Sequence, residues 1–186
     1  MVGIDEVGRG CLAGPLLVVA ARQSGSMPRG VADSKVLTRG ARERIFIKLV
    51  KRFSFGEGWV SAAEIDEVGL ANGLRLGVGR ALEQLGVLIN EEVIMDGPIN
   101  YVPEKFKTVR CVIDADVTIP LVSAASIYAK VSRDRFMRKL SKIYPGYGFE
   151  NHVGYSTTAH RQALLEHGSI ETIHRMSFST LADNLL

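Results

Sequence analysis

Residues 2–10 read VGIDEVGRG, an apolar stretch with two adjacent carboxylates near the start of the 186-residue chain. The apolar run predicts a β-strand over residues 2–7 that ends at glycine. Asp5 and Glu6 interrupt this run. Carboxylates in an apolar strand are costly unless they are paired, protonated or bound to a metal. Other parts of the chain must therefore stabilise these two acids.

The composition is that of a globular protein that forms one compact unit. Hydrophobic residues make up 46% of the chain and charged residues 23%, both ordinary values. No apolar run approaches the roughly 20 residues that a membrane helix needs, and no signal-peptide pattern precedes the first strand. Cys11 and Cys111 lie far apart in the sequence and form no metal or redox spacing, which favours two reduced cysteines in a cytosolic protein. We therefore expect a cytoplasmic, monomeric protein with no membrane partner.

Basic residues are concentrated in two segments, although the net charge is only +3. One segment covers residues 35–52 and the other residues 130–142. Such stripes fit a polyanionic partner, and they equally fit two solvated helix faces. The charge pattern alone leaves both interpretations open.

The hydrophobic periodicity predicts an α/β fold with a mixed central sheet flanked by helices. An antiparallel hairpin is expected first, and the later strands could be parallel. Three glycines in one predicted helix suggest close packing against a neighbouring element; they are Gly73, Gly77 and Gly79. The predicted strands are 2–7, 15–21, 53–62, 92–95 and 108–113. The predicted helices are 41–52, 62–68, 70–85, 122–143 and 158–166, with 144–155 as a loop.

Acidic residues stand at three predicted strand ends. They are Asp5 with Glu6, then Asp96, then Asp114 with Asp116. If these strands are neighbours in one sheet, the acids converge, and several close carboxylates cannot all ionise without a cation. Oxygen ligands favour Mg²⁺ or Mn²⁺, and two such ions about 4 Å apart suit in-line displacement at phosphorus. Separate surface acids at turns remain the alternative.

The adjacency of Asp5 and Glu6 poses a geometric difficulty. Side chains alternate along a strand, so two consecutive residues should point to opposite faces of the sheet. Both acids can serve one site only if the strand ends or twists there, or if Glu6 reaches round its edge. The glycines at positions 8 and 10 make an irregular exit from the strand plausible.

An ordered series of motifs resembles bacterial ribonuclease HII over about 175 residues of the chain. After the opening stretch come LAGP at 12–15, DSK at 33–35, MDG at 95–97 and VSAASIYAKVSRD at 122–134. Asp116 lies six residues ahead of the last of these segments. GYST at 154–157 is followed by His160, and IHRMSF at 173–178 ends the series.

The resemblance implies a ribonuclease H-like fold, with residues 1–143 as the catalytic core and 144–186 as a small helical C-terminal region that contacts substrate. It implies an endonuclease that cuts the RNA strand of RNA–DNA hybrids. The same enzyme would incise duplex DNA on the 5′ side of embedded ribonucleotides, by two-metal hydrolysis that leaves a 5′-phosphate and a 3′-OH. The catalytic and metal-binding residues carried over by position are Asp5, Glu6, Asp96 and Asp116, with Mg²⁺ or Mn²⁺ as cofactor.

Further residues match the family's substrate contacts. Gly8, Arg9 and Gly10 match the segment that contacts the ribonucleotide, and Tyr155 matches the tyrosine that packs on the adjacent deoxyribose. Glycines allow close backbone approach, and an arginine can fork to a phosphate. The candidate phosphate contacts are Lys35, Lys130 and Arg133.

Several features depart from the family pattern or leave alternatives. Val7 replaces a common alanine, Cys11 a common proline, and residues 113–115 replace the usual approach to the last aspartate, so Asp114 competes with Asp116 for the ligand role. The start of the chain and Arg9 argue against the sister type, ribonuclease HIII.

No clamp-binding pattern is evident in residues 177–186. A hybrid-binding module with a degenerate site and another two-metal nuclease of the same fold are the alternative functions.

Overall fold

A computed structural model describes residues 1–31 and 37–178. The strands are β1 (Val2–Val7), β2 (Leu16–Gln23), β3 (Phe53–Val60), β4 (Val93–Asp96) and β5 (Val109–Val112). The helices are α1 (Arg39–Leu49), α2 (Ala62–Val68), α3 (Leu70–Gln84), α4 (Ala115–Thr118), α5 (Pro120–Ile143), α6 (Phe149–His152) and α7 (Thr158–His167), with a 3-10 turn at Pro145–Tyr147. The predicted mixed α/β fold is confirmed.

The described strands form one sheet in the order β3-β2-β1-β4-β5. β1 pairs antiparallel with β2, and β2 pairs antiparallel with β3, so the predicted hairpin is confirmed. β4 and β5 add in parallel on the other side of β1. The carboxyl ends of these parallel strands therefore meet at one edge of the sheet, where the predicted acids lie.

Apolar side chains cover both faces of the sheet. One cluster packs α3 against alternating strand residues such as Ile4 and Val18. The other packs α1 and α5 against the opposite face, through residues such as Val19 and Ile127. This double covering explains why β2 is apolar at nearly every position, since a central strand buried on both faces cannot alternate.

Side-chain caps stabilise the first turns of two helices. The Thr38 side chain accepts a hydrogen bond from the Ala41 N–H at the start of α1. Ser61 and Glu64 form a reciprocal capping box at the start of α2, which satisfies two otherwise unpaired donors. The helix α2 begins at the predicted residue, whereas α1 begins two residues before the predicted start at residue 41.

The glycines of α3 divide into two groups. A Cβ added at Gly77 would lie 2.7 Å from the Val18 side chain, and one added at Gly58 of β3 would overlap with the Gly77 carbonyl. Helix and strand are therefore in close backbone contact there. A Cβ added at Gly79 would meet nothing within 4 Å, so the prediction of close packing is wrong at that position.

The C-terminal part of the described chain packs on the far end of α5. Its apolar cluster joins Leu12 and Met137 to Tyr147, Phe149 and Leu164. The stretch 144–155, predicted as a loop, contains the 3-10 turn and α6. These elements are too short to show a hydrophobic period, so the prediction missed them, as it missed the four-residue α4.

No helix within the described ranges is both long enough and apolar enough to cross a membrane.

Candidate active site

Asp5 and Glu6 occupy the end of β1 where one of its neighbours stops. Pairing with β2 continues to Val7, but pairing with β4 ends at Ile4 and Met95. Asp5 points to the face covered by α5, and Glu6 is on the opposite face. Because the paired part of β4 ends before these residues, both side chains line the same cleft beside Asp96. The overhang of β1 thus resolves the geometric difficulty of the adjacent acids.

Asp96 is the last residue of β4, and Asp116 lies in the first turn of α4. The Asp116 N–H donates to Asp96 Oδ1 at 3.3 Å. The Ser123 hydroxyl donates to the Asp116 carbonyl at 2.6 Å, which fixes α4 against α5. These contacts hold the buried Asp116 carboxylate at the carboxyl end of the sheet.

Asp114 is placed differently from Asp116. It is exposed and precedes α4 in a left-handed conformation with φ 56°. Its carbonyl accepts from the N–H groups of Val117 and Thr118. Of the two acids, only Asp116 lines the cleft.

The cleft has a volume of about 350 Å³. It combines acids from β1, β4 and α4 with basic and polar side chains from α1 and α5. The lining residues are Asp5, Glu6, Val7, Arg42, Asp96, Asp116, Ser126, Ile127 and Lys130. The sequence gives no sign that Ser126 lines the cleft and shows Arg42 only as part of a basic stripe, because the direction of a side chain on a helix depends on how that helix packs.

Burial and mutual repulsion disfavour the charged forms of the β1 acids. Burial raises the pKa of Asp5 well above its usual value, and the nearby charge of Glu6 raises it further. Burial also raises the pKa of Glu6, whereas Arg9 lowers it and Asp96 raises it. The Glu6 N–H donates to Asp5 Oδ1 at 2.8 Å and offsets part of this cost. Such a cleft attracts cations.

The donor set fits hard divalent cations. The acidic lining is made of carboxylates alone, with no histidine or cysteine among the lining residues, and oxygen ligands suit Mg²⁺ or Mn²⁺. Within the described ranges, no group of three or more acidic, histidine or cysteine side chains is arranged so that it could hold a metal ion by itself. Four carboxylates line the cleft, and an ion bound there would need further oxygen ligands, such as water or substrate, to complete its coordination.

The segment Gly8–Gly10 follows the acids directly. Gly8 has φ 91°, a conformation that favours glycine. The exposed Arg9 guanidinium lies 3.7 Å from Glu6 Oε1. Together with Glu6 and Asp96, Arg9 also lines a second, smaller depression that continues from the cleft. The segment is thus positioned at the rim of the acidic site.

Tyr155 is connected to this segment through Cys11, the residue that follows Gly10. Its side chain is 40% exposed and interacts with the Cys11 thiol. Its N–H donates to the His152 carbonyl at 3.0 Å, and its own carbonyl contacts His160 Nδ1 at 2.9 Å. Tyr155 is therefore held next to the residue that follows the glycine segment, and it does not line the carboxylate cleft.

The three candidate phosphate contacts lie in different surroundings or outside the described residues. Lys130 lines the cleft and pairs with Asp134 at 2.9 Å. Arg133 is fully buried and donates to backbone carbonyls, so its interpretation as a surface phosphate contact is wrong. Lys35 lies outside the described residues.

Comparison with known proteins gives concordant results. A sequence model described as ribonuclease HII matches residues 2–181. A ribonuclease HII from Campylobacter concisus is 44% identical over 177 residues, covering 95% of this chain and 91% of that protein. One from Fusobacterium nucleatum is 37% identical over 183 residues, covering 96% and 85%. Among solved structures, the PCNA:RNase HII complex from Archaeoglobus fulgidus contains a chain with a TM-score of 0.78 and 30% identity, covering 95% and 94%.

Proposed function

The chain belongs to the ribonuclease HII family, and from this premise we propose that its carboxylate cleft incises duplex DNA on the 5′ side of embedded ribonucleotides. As a member of this family, the protein is a metal-dependent ribonuclease that acts on RNA–DNA hybrids. Its fold is the ribonuclease H-like fold. The incision of single ribonucleotides, the two-metal hydrolysis and the individual residue roles are the parts that we propose. We also propose that the protein acts as a monomer in the cytoplasm.

The observation that carries the proposal is the convergence of four carboxylates beside basic side chains. Asp5, Glu6, Asp96 and Asp116 line one cleft. In the proposed enzyme they hold two divalent ions, Mg²⁺ or Mn²⁺, which supply charge neutralisation at the scissile phosphate. Residues 144–178 pack on Leu12, in the loop that follows β1, which supports a role for the C-terminal region in contacting substrate.

The surrounding side chains position the nucleic acid. Arg42 and Lys130 line the cleft and are placed to bind phosphate oxygens, contacts that fix register without reading sequence. The Gly8–Gly10 segment, at the rim, brings backbone groups close to the ribose, whose 2′-OH distinguishes RNA from DNA. Tyr155 offers an aromatic surface to the neighbouring deoxyribose. Lys35 is kept as a further phosphate contact on sequence grounds alone.

The deciding experiment compares four labelled duplexes: a long RNA–DNA hybrid, DNA with one ribonucleotide, all-DNA, and double-stranded RNA. Each is incubated with Mg²⁺, with Mn²⁺ or with a chelator. We expect cleavage of the first two substrates only, with metal, and products that carry a 5′-phosphate and a 3′-OH. Asp5→Asn is the matched control, because it keeps the side-chain volume and removes a charge; it should bind hybrid and fail to cleave it.

Other outcomes would identify the alternatives. Hybrid binding without metal-dependent cleavage would indicate a binding module with a degenerate site. Cleavage of the all-DNA duplex would indicate another nuclease of the same fold. Loss of hybrid binding in Asp5→Asn would indicate that this acid maintains the fold rather than the chemistry.

A further inference from the structure

Two arginines are buried in the part of the fold that joins the amino-terminal loop to the C-terminal region. Arg133 of α5 and Arg175 both have no exposed surface. Neither makes an ion pair with a carboxylate of the described chain; each instead donates hydrogen bonds to backbone carbonyls. A buried guanidinium is costly unless its donors are satisfied, so these contacts must be maintained in the folded protein.

Arg175 binds the loop that follows β1 at three carbonyls. Its Nη2 donates to the Gly8 carbonyl at 2.7 Å, and its Nη1 donates to the Arg9 carbonyl at 2.9 Å. Nη2 and Nε also donate to the Gly14 carbonyl, at 3.0 and 3.2 Å. The planar guanidinium thus connects the two ends of this loop, at Gly8 and Gly14.

Arg133, on α5, donates hydrogen bonds to the same loop. Its donors reach the carbonyls of Ala13, Pro15 and Val153 at 3.1, 2.8 and 2.8 Å. A Cβ added at Gly8 would overlap with Arg133 Nε. The loop backbone therefore rests directly on this side chain.

We propose that Arg175, supported by Arg133, is a positioning residue that fixes the Gly8–Gly10 segment for recognition of the ribonucleotide. The proposal rests on the proposed function, because it assigns that segment to the substrate. Neither arginine reaches the cleft, and both act only through the loop backbone.

The geometry explains how positioning would produce discrimination. The carbonyls of Gly8 and Arg9 are turned inward to Arg175. The N–H groups of the exposed Arg9 and Gly10 have no acceptor among the described residues. Reading a single hydroxyl through such backbone groups demands a fixed loop, because displacements on the order of 1 Å are costly to catalysis.

The test is Arg175→Lys, which keeps the charge and removes the fork. Arg22→Lys is the control for the loss of an arginine fork, because Arg22 also donates to two backbone carbonyls, those of Leu85 and Gly86, away from the site, although it is part-exposed and also pairs with Glu91. For DNA with one ribonucleotide, kcat/KM should fall about tenfold in Arg175→Lys, as expected for one lost charge-assisted hydrogen bond. Affinity for all-DNA duplex should be unchanged, and Arg22→Lys should match the parent protein in both assays.

A second measurement needs no substrate. The N–H groups of Leu12, Ala13 and Gly14 are bound to the carbonyls of Gly154 and Ile173. We expect hydrogen exchange to accelerate in residues 8–15 of Arg175→Lys and to stay unchanged in β2 and β3. If the parent protein cleaves nothing, the proposed function fails, yet this measurement still reports whether Arg175 fixes the loop.

Three results would overturn the proposal. One is unchanged exchange together with unchanged kcat/KM in Arg175→Lys. Another is an equal loss of affinity for all-DNA and ribonucleotide-containing duplexes. The third is the same loss in Arg22→Lys, which would indicate general destabilisation.

A milder variant keeps the test decisive if Arg175→Lys does not fold. The Asp66 carboxylate accepts from the N–H groups of Met176 and Ser177 and so anchors the segment that carries Arg175. Asp66→Asn should show the same pattern at reduced size, with faster exchange in residues 8–15 and a lower kcat/KM. Exchange and kcat/KM that both equal those of the parent protein would contradict the proposal.

Discussion

At the scale of single residues, Asp114 and Asp116 show how the local backbone decides which of two nearby acids reaches the cleft. Asp114 adopts a left-handed conformation immediately before α4, whereas Asp116 is buried in the first turn of that helix. The left-handed residue ends the extended run of β5 and redirects the chain toward Asp96. The two acids therefore differ in role although only Ala115 separates them.

This difference predicts opposite outcomes for two conservative substitutions. Asp116→Asn should lower kcat on hybrid by at least about 10²-fold, the usual scale for losing one group that stabilises charge in the transition state. Asp114→Asn should leave kcat near the parent value, because asparagine tolerates the left-handed conformation. Steady-state cleavage of a hybrid, with binding measured in parallel, checks both variants. A larger loss in Asp114→Asn would reverse the assignment.

The positions of the acids can be predicted from the sequence, whereas the burial of Arg133 cannot. Asp5, Glu6 and Asp96 stand at the ends of apolar strands, so their meeting at one sheet edge follows from the strand order. Arg133 stands in a basic helical segment, and nothing in that segment indicates burial. Its partners lie more than 100 residues away along the chain at Ala13 and Pro15, and such partners are invisible to local patterns.

At the scale of elements, the contact between α3 and β3 depends on missing side chains. Gly58 of β3 lies against the Gly77 carbonyl, and Gly56 against the Ala81 carbonyl. Helix and strand approach each other closely along this line, which lets α3 cover a sheet whose other face packs on α1 and α5.

Two alanine substitutions should change stability in opposite directions. Gly58→Ala should lower the free energy of unfolding by about 1–3 kcal/mol, the usual cost of overpacking, because the added Cβ overlaps with backbone. Gly79→Ala should raise it by about 0.5–1 kcal/mol, because that glycine sits in open space within a helix. Urea denaturation of both variants measures the difference. Equal effects would contradict the close backbone approach.

Elements with strong local signals were predictable, and elements formed by packing were not. The bounds of β1, α2 and α3 agree with the sequence interpretation within one residue, since caps and apolar runs determine them. The helices α4 and α6 span four residues each and have no side-chain cap. Contacts with α5 and the C-terminal region stabilise them, and the local sequence does not record those contacts.

At the scale of the whole molecule, a histidine cluster ties the C-terminal region together. The rings of His152 and His160 stack at 4.4 Å, and His160 Nε2 lies 3.2 Å from His174 Nε2. Burial lowers the pKa of His160 to about 4 and also lowers the pKa of His174. The folded protein therefore holds both rings neutral where an unfolded chain would protonate them.

The sign of the resulting pH dependence follows from linkage. Because the folded pKa of His160 is below its ordinary value of 6.5, its contribution to stability is complete above about pH 6.5 and is lost as the pH falls toward 4. Lowering the pH from 7.5 to 5 should therefore reduce the free energy of unfolding by about 2 kcal/mol through His160. His160→Gln should lessen this acid-induced decrease in stability, whereas replacing the exposed His167 with glutamine should not.

Thermal unfolding at the two pH values measures this effect as a difference between variants. The comparison with His160→Gln is needed because Asp5 and Glu6 also titrate differently in the folded protein. Their pKa values are raised, so their protonation stabilises the folded state at low pH and opposes the effect of His160. Parallel pH profiles for the parent protein and His160→Gln would contradict the role of the cluster.

The hydrogen bonds between Arg175 and the glycine loop also bear on how the protein is made. Residues 8 and 9 leave the ribosome early, yet the side chain that holds their carbonyls is synthesised 167 and 166 residues later. Contacts of such sequence separation form late, because the chain between them must first be ordered. The sheet can assemble while the chain is still growing, but the loop at its end acquires its final shape only after α7 and the following turn have been translated. A nascent chain would therefore hold its acids in place before it could select a substrate.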